Sequence, residues 1–287
     1  MNTHLPCVLS DAQLQALLHE DVPYGDLTTE ALGIGAATGQ FTFTARAAMT
    51  VCGIEEAARL LALAGLSVML HSHSGMAAAP GTLLLQASGT AASLHRGWKM
   101  AQIMVETTSG IASAMNAITN EISKAGLATP VACTRKNLPG TKAMACKAIR
   151  AGGGSMHRLG LSETILIFPE HQLFLHETPA QTVARLKTAL PEKKVVVEVK
   201  NLAAAQTWAD AGADVLQLEK FTPEALADCA QQLAKHPHRP TLAAAGGVNA
   251  QNAVAYAQAG ADMLVTSSPY YGKPADVQVT FSADKHA

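Results

Sequence analysis

In the segment QFTFTARAAMTV (40–51) Phe41 and Phe43 fall on one side of an extended chain, which predicts a strand with one covered face. Upstream the rhythm is helical. Leu14, Leu17 and Leu18 form one stripe behind Ser10, a good capping residue, so DAQLQALLHED is a predicted first helix. In the polar, turn-rich DVPYGDLTTE, the residues Asp21, Asp26, Thr28 and Thr29 are expected to serve as caps before they serve any ligand. Gly53 to Ala64 has amphipathic helical spacing, and LSVMLHSHSG and GTLLLQASGTA read as strands. His71 and His73 would share one face of the former, a weak metal signal on their own. Thr90 to Lys124 reads as two consecutive helices, interrupted near Ser109-Gly110.

After Lys124 the pattern changes. Short apolar runs, TPVACT, ETILIF, KVVVEV, ADVLQLE, PTLAAA and ADMLVTS, alternate with helical stretches such as NLAAAQTWADAG and TPEALADCAQQLA. The steps from Val196 to Val215, Leu242 and Met263 are 19, 27 and 21 residues, a βα repeat of barrel length. No GxGxxG follows any of these runs, which argues against a Rossmann half. The predicted class is α/β, a front domain followed by a βα barrel, with the boundary between Ser109 and Thr129. Six runs leave the barrel incomplete, unless a strand comes from a region read as helix. A last run, VQVTF, could return to the front domain.

Composition supports this class. A chain of 287 residues can bury a large core, and its small side chains and 4% aromatics suit close helix-on-sheet packing. The formal charge of -1 excludes the basic footprint of a general nucleic-acid binder. Five scattered cysteines without a CxxC fit a reducing compartment. The opening MNTHLPCVLSDAQL has no signal-peptide pattern, and no apolar stretch reaches membrane-spanning length, so a cytoplasmic location without membrane insertion is expected.

Local charge carries more information. Between Ile122 and Ser162 there are seven Lys or Arg residues (Lys124, Arg135, Lys136, Lys142, Lys147, Arg150, Arg158) and no Asp or Glu. With no acid of its own, the segment points to an anionic ligand. A basic helix face beside a flexible loop is the plainer alternative. In a βα barrel the residues just after the strands face the active-site mouth. Here those are Arg135 and Lys136, Glu198 and Lys200, Glu219 and Lys220, the turn around Gly246-Gly247, and Thr266, Ser267 and Ser268. Such cations neutralise phosphate, while carboxylates hold Mg2+ or sugar hydroxyls. Gly246-Gly247 is a turn whose backbone can meet a phosphate or simply permit tight packing. Glu198, inside VVVEVK, is costly to bury without a partner or ligand.

TRKNLPG (134–140), GGGSMHRLGL (152–161), SGIA (109–112) and EVK (198–200) resemble the signatures of the nicotinate-nucleotide pyrophosphorylase, or quinolinate phosphoribosyltransferase, family, over nearly the full chain. Within it the chain is most similar to the ModD branch, associated with molybdenum transport. The resemblance implies an N-terminal open-faced α/β sandwich (1–115, completed by 272–287) and an incomplete α/β barrel (116–271). It also implies a homodimer with shared sites, and Mg2+-dependent transfer of a phosphoribosyl group from phosphoribosyl pyrophosphate to a ring nitrogen. By position, Arg135, His157 and Arg158 would line the acceptor pocket, Lys136 would sit near the phosphates, and Glu198 and Glu219 near the ribose and its metal. Gly246, Gly247 and the 266–268 segment would bracket the 5'-phosphate.

The departures fall on the acceptor side. Trp98 and Lys99 stand where the family carries a Glu-Arg pair whose arginine serves the other subunit. Leu166-Ile-Phe-Pro-Glu-His171 replaces LIKDNH, putting Phe168 for a lysine that binds the diacid while keeping His171. Glu219 and Lys220 replace Asp and Asn, and Ala243, Ala244 and Ala245 replace polar residues before the glycines. The leading expectation is a phosphoribosyltransferase with an acceptor other than quinolinate. Authentic quinolinate activity is disfavoured by Phe168, and a non-catalytic anion-binding protein is favoured only by the alanines.

Overall fold

The computed structural model describes residues 5–284; residues 1–4 and 285–287, parts of the expected front domain, lie outside the described range. In chain order the elements begin with α1 (Asp11–Asp21), α2 (Leu27–Ala31), β1 (Thr38–Ala45), β2 (Met49–Thr50), α3 (Ile54–Leu63) and β3 (Ser67–Leu70). They continue through β4 (Ala77–Ala78), β5 (Leu83–Thr90), α4 (Ala91–Lys124), β6 (Val131–Cys133), α5 (Lys142–Ala151), β7 (Ser155–Met156) and β8 (Ile165–Ile167). The remainder are α6 (Pro169–Gln172), α7 (Pro179–Ala189), β9 (Val195–Val199), α8 (Leu202–Asp210), β10 (Val215–Glu219), α9 (Pro223–Leu233), β11 (Thr241–Ala245), α10 (Ala253–Gln258), β12 (Met263–Thr266) and β13 (Val277–Ala283). They form two compact units, one of residues 1–116, 138–153 and 269–287, the other of 117–137 and 154–268.

The first unit is built on an antiparallel sheet of order β13-β1-β5-β3. Phe41 and Phe43 of β1 are fully buried, packed in one core with Leu14 and Leu18 of α1, Ile54, Leu60 and Leu61 of α3, and Met104 and Val105 of α4. β13 pairs with β1 from Val277 opposite Ala45 to Ala283 opposite Gly39. Ser10 and Gln13 cap α1 reciprocally, the Ser10 N–H donating to Gln13 Oε1 at 2.9 Å. Asp26 caps α2, accepting from the N–H groups of Thr28 and Thr29 at 3.1 and 3.2 Å.

Two expectations about this part of the chain are corrected. The stretch read as two helices is one, α4, of 34 residues. Gly110 is there for close approach, since a Cβ on it would collide with the Lys273 carbonyl. His71 and His73 do not lie on a strand, because β3 ends at Leu70 and the chain turns toward Gly75, at φ +93°. No helix among the described residues is long and apolar enough to cross a membrane.

α5 belongs to this unit because of a buried ionic cluster. Lys147 Nζ lies 2.7 Å from Glu56 and 2.9 Å from Glu55, both in the first turn of α3. All three side chains are buried, so their charges have to be met by protein. The second carboxylate charge is met by donors: Ser74 N–H and hydroxyl reach Glu55 at 2.7 and 2.5 Å, and Val8 N–H reaches Glu56 at 2.8 Å.

The second unit is a parallel α/β half-barrel whose sheet has seven strands in the order β7-β6-β12-β11-β10-β9-β8. Among the described residues its end strands β7 and β8 do not pair with each other, so the barrel is open. Six strands are the apolar runs of the sequence. The seventh, β7, comes from the Gly-rich segment and has only two residues, Ser155 and Met156, opposite Ala132 and Cys133. Nothing in so short a pair, behind three glycines, announces a strand.

Candidate active site

Parallel register places the chemistry. Glu198 of β9 stands opposite Gln217 of β10, which stands opposite Ala243 of β11, itself opposite Met263 of β12. Side chains two apart share a face, so Val196 and Glu198 look the same way, as do Val215, Gln217 and Glu219. The deeper part of that face is apolar: Leu166, Val196, Val215, Ala243, Ala245 and Val265 form one cluster, with Phe168 and Met263 packed on it. Its rim, toward the strand C-termini, is polar and charged.

One pole of the rim is acidic. Glu198 accepts a hydrogen bond from Gln217 Nε2 at 2.9 Å. Burial pushes its carboxyl above the ordinary value, helped by the negative charges of Glu219 and Glu170 and opposed by Lys200 and the Gln217 bond. Glu198 and Glu219 thus repel one another across adjacent strands, an arrangement that a divalent cation relieves.

The other pole is basic. Arg158 is only 6% exposed, and its guanidinium carbon sits 5.4 Å from the centre of the Phe168 ring. Burial lowers its pKa, and the neighbouring charge of Arg135 lowers it further. Among the described residues no carboxylate pairs with it. Phe168 also stacks on His171, with centroids 5.7 Å apart and planes inclined by 24°. The Phe168 N–H donates to His171 Nδ1 at 2.9 Å, which leaves Nε2 to carry the proton of the neutral ring. His157 is half-buried; burial and then the charge of Arg158 lower its pKa, which favours the neutral ring, and its backbone N–H donates to the Cys133 carbonyl at 2.8 Å.

Between the poles lies a turn of small residues. Gly246 and Gly247 have φ of +84° and +103°, and Asn249 and Asn252 amides hold the Gly247 carbonyl at 3.1 and 3.0 Å. Ser267 shares a 2.6 Å hydrogen bond with Thr134. Thr266 differs: it is buried, and its hydroxyl is committed to the Val248 carbonyl at 2.6 Å and contacts the Ser268 hydroxyl at 3.0 Å. Lys136 is exposed, its N–H donating to Thr134 Oγ1 at 3.3 Å, and Lys200 and Lys220 are exposed on their strand ends. Lys99 belongs to the first unit, where its ammonium lies 4.0 Å over the Trp98 ring and donates to Gln102 at 2.8 Å.

Sequence reasoning missed Gln217, Thr134 and Glu170. Gln217 had the clearest signal, a polar residue two before Glu219 in VLQLE and therefore on the same face. Two of the seven basic residues read as ligand-seeking are paired within the protein, Lys147 with Glu55 and Glu56 and Lys124 with Glu121 at 2.9 Å. Among the described residues no group of three or more His, Cys, Asp or Glu side chains forms a ready metal cage.

The chain has relatives in both sequence and fold. The pattern of the quinolinate phosphoribosyl transferase C-terminal domain matches residues 111–280, and that of its N-terminal domain matches residues 26–109. A protein of Rhodobacter capsulatus named "Putative pyrophosphorylase ModD" is 46% identical over 247 residues, 86% of this chain and 95% of that protein. A protein of the same name from Escherichia coli O157:H7 is 39% identical over 274 residues, 95% of this chain and 96% of that one. The nicotinate-nucleotide pyrophosphorylase structure from Francisella tularensis superposes with a TM-score of 0.84 over 94% of each chain; at 23% identity this establishes the fold alone.

Proposed function

The chain belongs to the quinolinate phosphoribosyltransferase family, and from that membership we propose that it transfers a phosphoribosyl group from phosphoribosyl pyrophosphate to a ring nitrogen of an anionic aromatic acceptor, releasing pyrophosphate. The observation that carries this reading is Arg158, a buried cation beside Arg135, held over an aromatic ring, with no carboxylate paired to it among the described residues. An anionic group on the acceptor supplies what the protein leaves out.

In this reading Arg158 and Arg135 orient the acceptor, Phe168 and His171 give it a flat wall, and neutral His157 offers a hydrogen bond without adding charge. Lys136 and Lys200 meet the pyrophosphate, and the Gly246-Gly247 turn with Ser267 and Ser268 receives the 5'-phosphate. Glu198 and Glu219 are the residues that would hold Mg2+, whose chemistry is to neutralise the departing pyrophosphate. Gln217 keeps the Glu198 carboxylate aimed, and the acidic pole tolerates positive charge developing on the ribose. The chain works in the cytoplasm as a homodimer in which the partner subunit's Lys99 serves the site; the family resemblance supports this part.

The test is pyrophosphate release from phosphoribosyl pyrophosphate and Mg2+ across a panel of heteroaromatic carboxylates. Release with one of them supports the reading, and release with none overturns it. Two variants follow from the same geometry. Glu198→Gln should lower Mg2+-dependent turnover at least about tenfold. Unchanged turnover would remove Glu198 from the account. Phe168→Lys adds a cation beside Arg158 and should tighten quinolinate binding by roughly tenfold or more in a titration; no gain would show that Phe168 does not set the preference against the diacid.

A further inference from the structure

Lys220 is the one non-glycine residue among those described with a positive φ, at 59°. An L-residue enters this region only at a steric cost, which glycine avoids and asparagine tolerates better. The fold requires the backbone, because the Lys220 N–H continues the parallel ladder to the Ala245 carbonyl at 2.8 Å. Nothing in the fold requires a lysine. Its side chain is exposed and has no ion-pair partner among the described residues. Strain that persists without a structural reason collects at functional sites.

The course of the side chain suggests the reason. A Cβ built on Gly246 would fall 2.7 Å from Lys220 Cγ and 2.7 Å from Glu219 Oε1. The lysine stem is therefore laid across the Gly246 turn, and Gly246 has to be glycine to let it pass. Gly247, next along, is exposed with open space where its Cβ would be. The strand leading into this turn, TLAAA, ends in three apolar residues and supplies no cation of its own. Lys220 is the first residue beyond that strand, β10.

We infer that Lys220 is a phosphate-binding residue of the donor site, its left-handed backbone carrying the stem over Gly246 so that the ammonium meets a phosphate seated at the Gly246-Gly247 turn. This rests on the phosphoribosyl reading above and adds to it a cation whose placement is maintained against the preference of its own backbone. Removing the lysine should then move stability and binding in opposite directions, which neither a surface lysine nor a purely structural one would do.

The experiment compares wild type with Lys220→Asn and Lys220→Arg, by thermal unfolding without ligand and by titration of phosphoribosyl pyrophosphate with Mg2+. Lys220→Asn, which relieves the strain and removes the charge, should unfold roughly 2–4 °C higher and bind the donor at least about tenfold more weakly. Lys220→Arg, which keeps both, should show no thermal gain and stay within about threefold of wild-type affinity. Donor binding by Lys220→Asn equal to wild type overturns the inference while leaving the phosphoribosyl reading in place. Absence of binding by wild type itself overturns that reading, and the role of Lys220 with it.

Discussion

Lys147→Met is expected to destabilise the protein by about 3–5 kcal/mol, because it leaves two buried carboxylates facing one another without a cation. The apolar stem of methionine fills much of the space, so the loss is electrostatic rather than a cavity effect. The pH dependence follows from the direction of each shift. Burial raises the Glu55 pKa, but hydrogen bonds from Ser74 and then Lys147 outweigh it, so the folded value is depressed. That contribution is present above the unfolded carboxylate pKa of about 4.3 and is lost as pH falls through the lower folded value. Burial likewise lowers the Lys147 pKa, but Glu56 and Glu55 outweigh it, and the folded value is raised. Its contribution is complete below about pH 10 and is lost as pH rises through the folded value. Urea unfolding of wild type and variant should therefore show the full difference at neutral pH and a smaller one under acid conditions that protonate the carboxylates. A difference below about 1 kcal/mol at pH 7 would mean that water reaches the cluster.

Arg158→Met should act in the opposite sense on stability and more severely on function. It exchanges a buried cation, with no carboxylate paired to it among the described residues, for an apolar chain that can still pack on Phe168, so the ligand-free protein should be as stable as wild type or more stable by about 1–2 kcal/mol. Once an acceptor is identified, kcat/KM for it should fall roughly a hundredfold, the worth of a charge-assisted, forked contact to a carboxylate. Arg158→Lys should recover only part of this, since an ammonium cannot make the forked contact. Chemical denaturation and acceptor-dependent kinetics on the same preparations decide the matter. Marked destabilisation with unchanged kcat/KM would make Arg158 a structural residue.

The barrel strands were legible because a strand buried on both faces is written as a continuous apolar run, and VVVEV and VLQLE announce their inward acids by contrast. Three features were not legible, each because its cause lies far away in sequence. Lys147 looks like a cation in search of an anion until Glu55 and Glu56, some 90 positions earlier, are found beside it. Gly110 reads as a helix break until the Lys273 carbonyl is seen against it. β7 is a strand only because Ala132 and Cys133 pair with it. The strand-end rule put Glu198, Glu219, Arg135 and the glycine turn at the C-terminal ends of the strands, where the fold has them, but it gave Thr266 the same weight as Ser267. Alternation separates them: Ser267 shares the Val265 face, whereas the Thr266 hydroxyl is used by the Val248 carbonyl. The stack of Arg158, Phe168 and His171 was also hidden, since the spacing of these residues does not reveal that their side chains meet.

The proposed roles all depend on a magnesium-dependent phosphoribosyl donor site on the strand-end rim of the half-barrel. Calorimetric titration of phosphoribosyl pyrophosphate into the purified protein, with and without Mg2+, is the first measurement to make. Saturable binding that requires Mg2+ and weakens in Glu198→Gln is expected. Absence of binding under either condition, or binding indifferent to both Mg2+ and Glu198, would leave no such donor site on this rim.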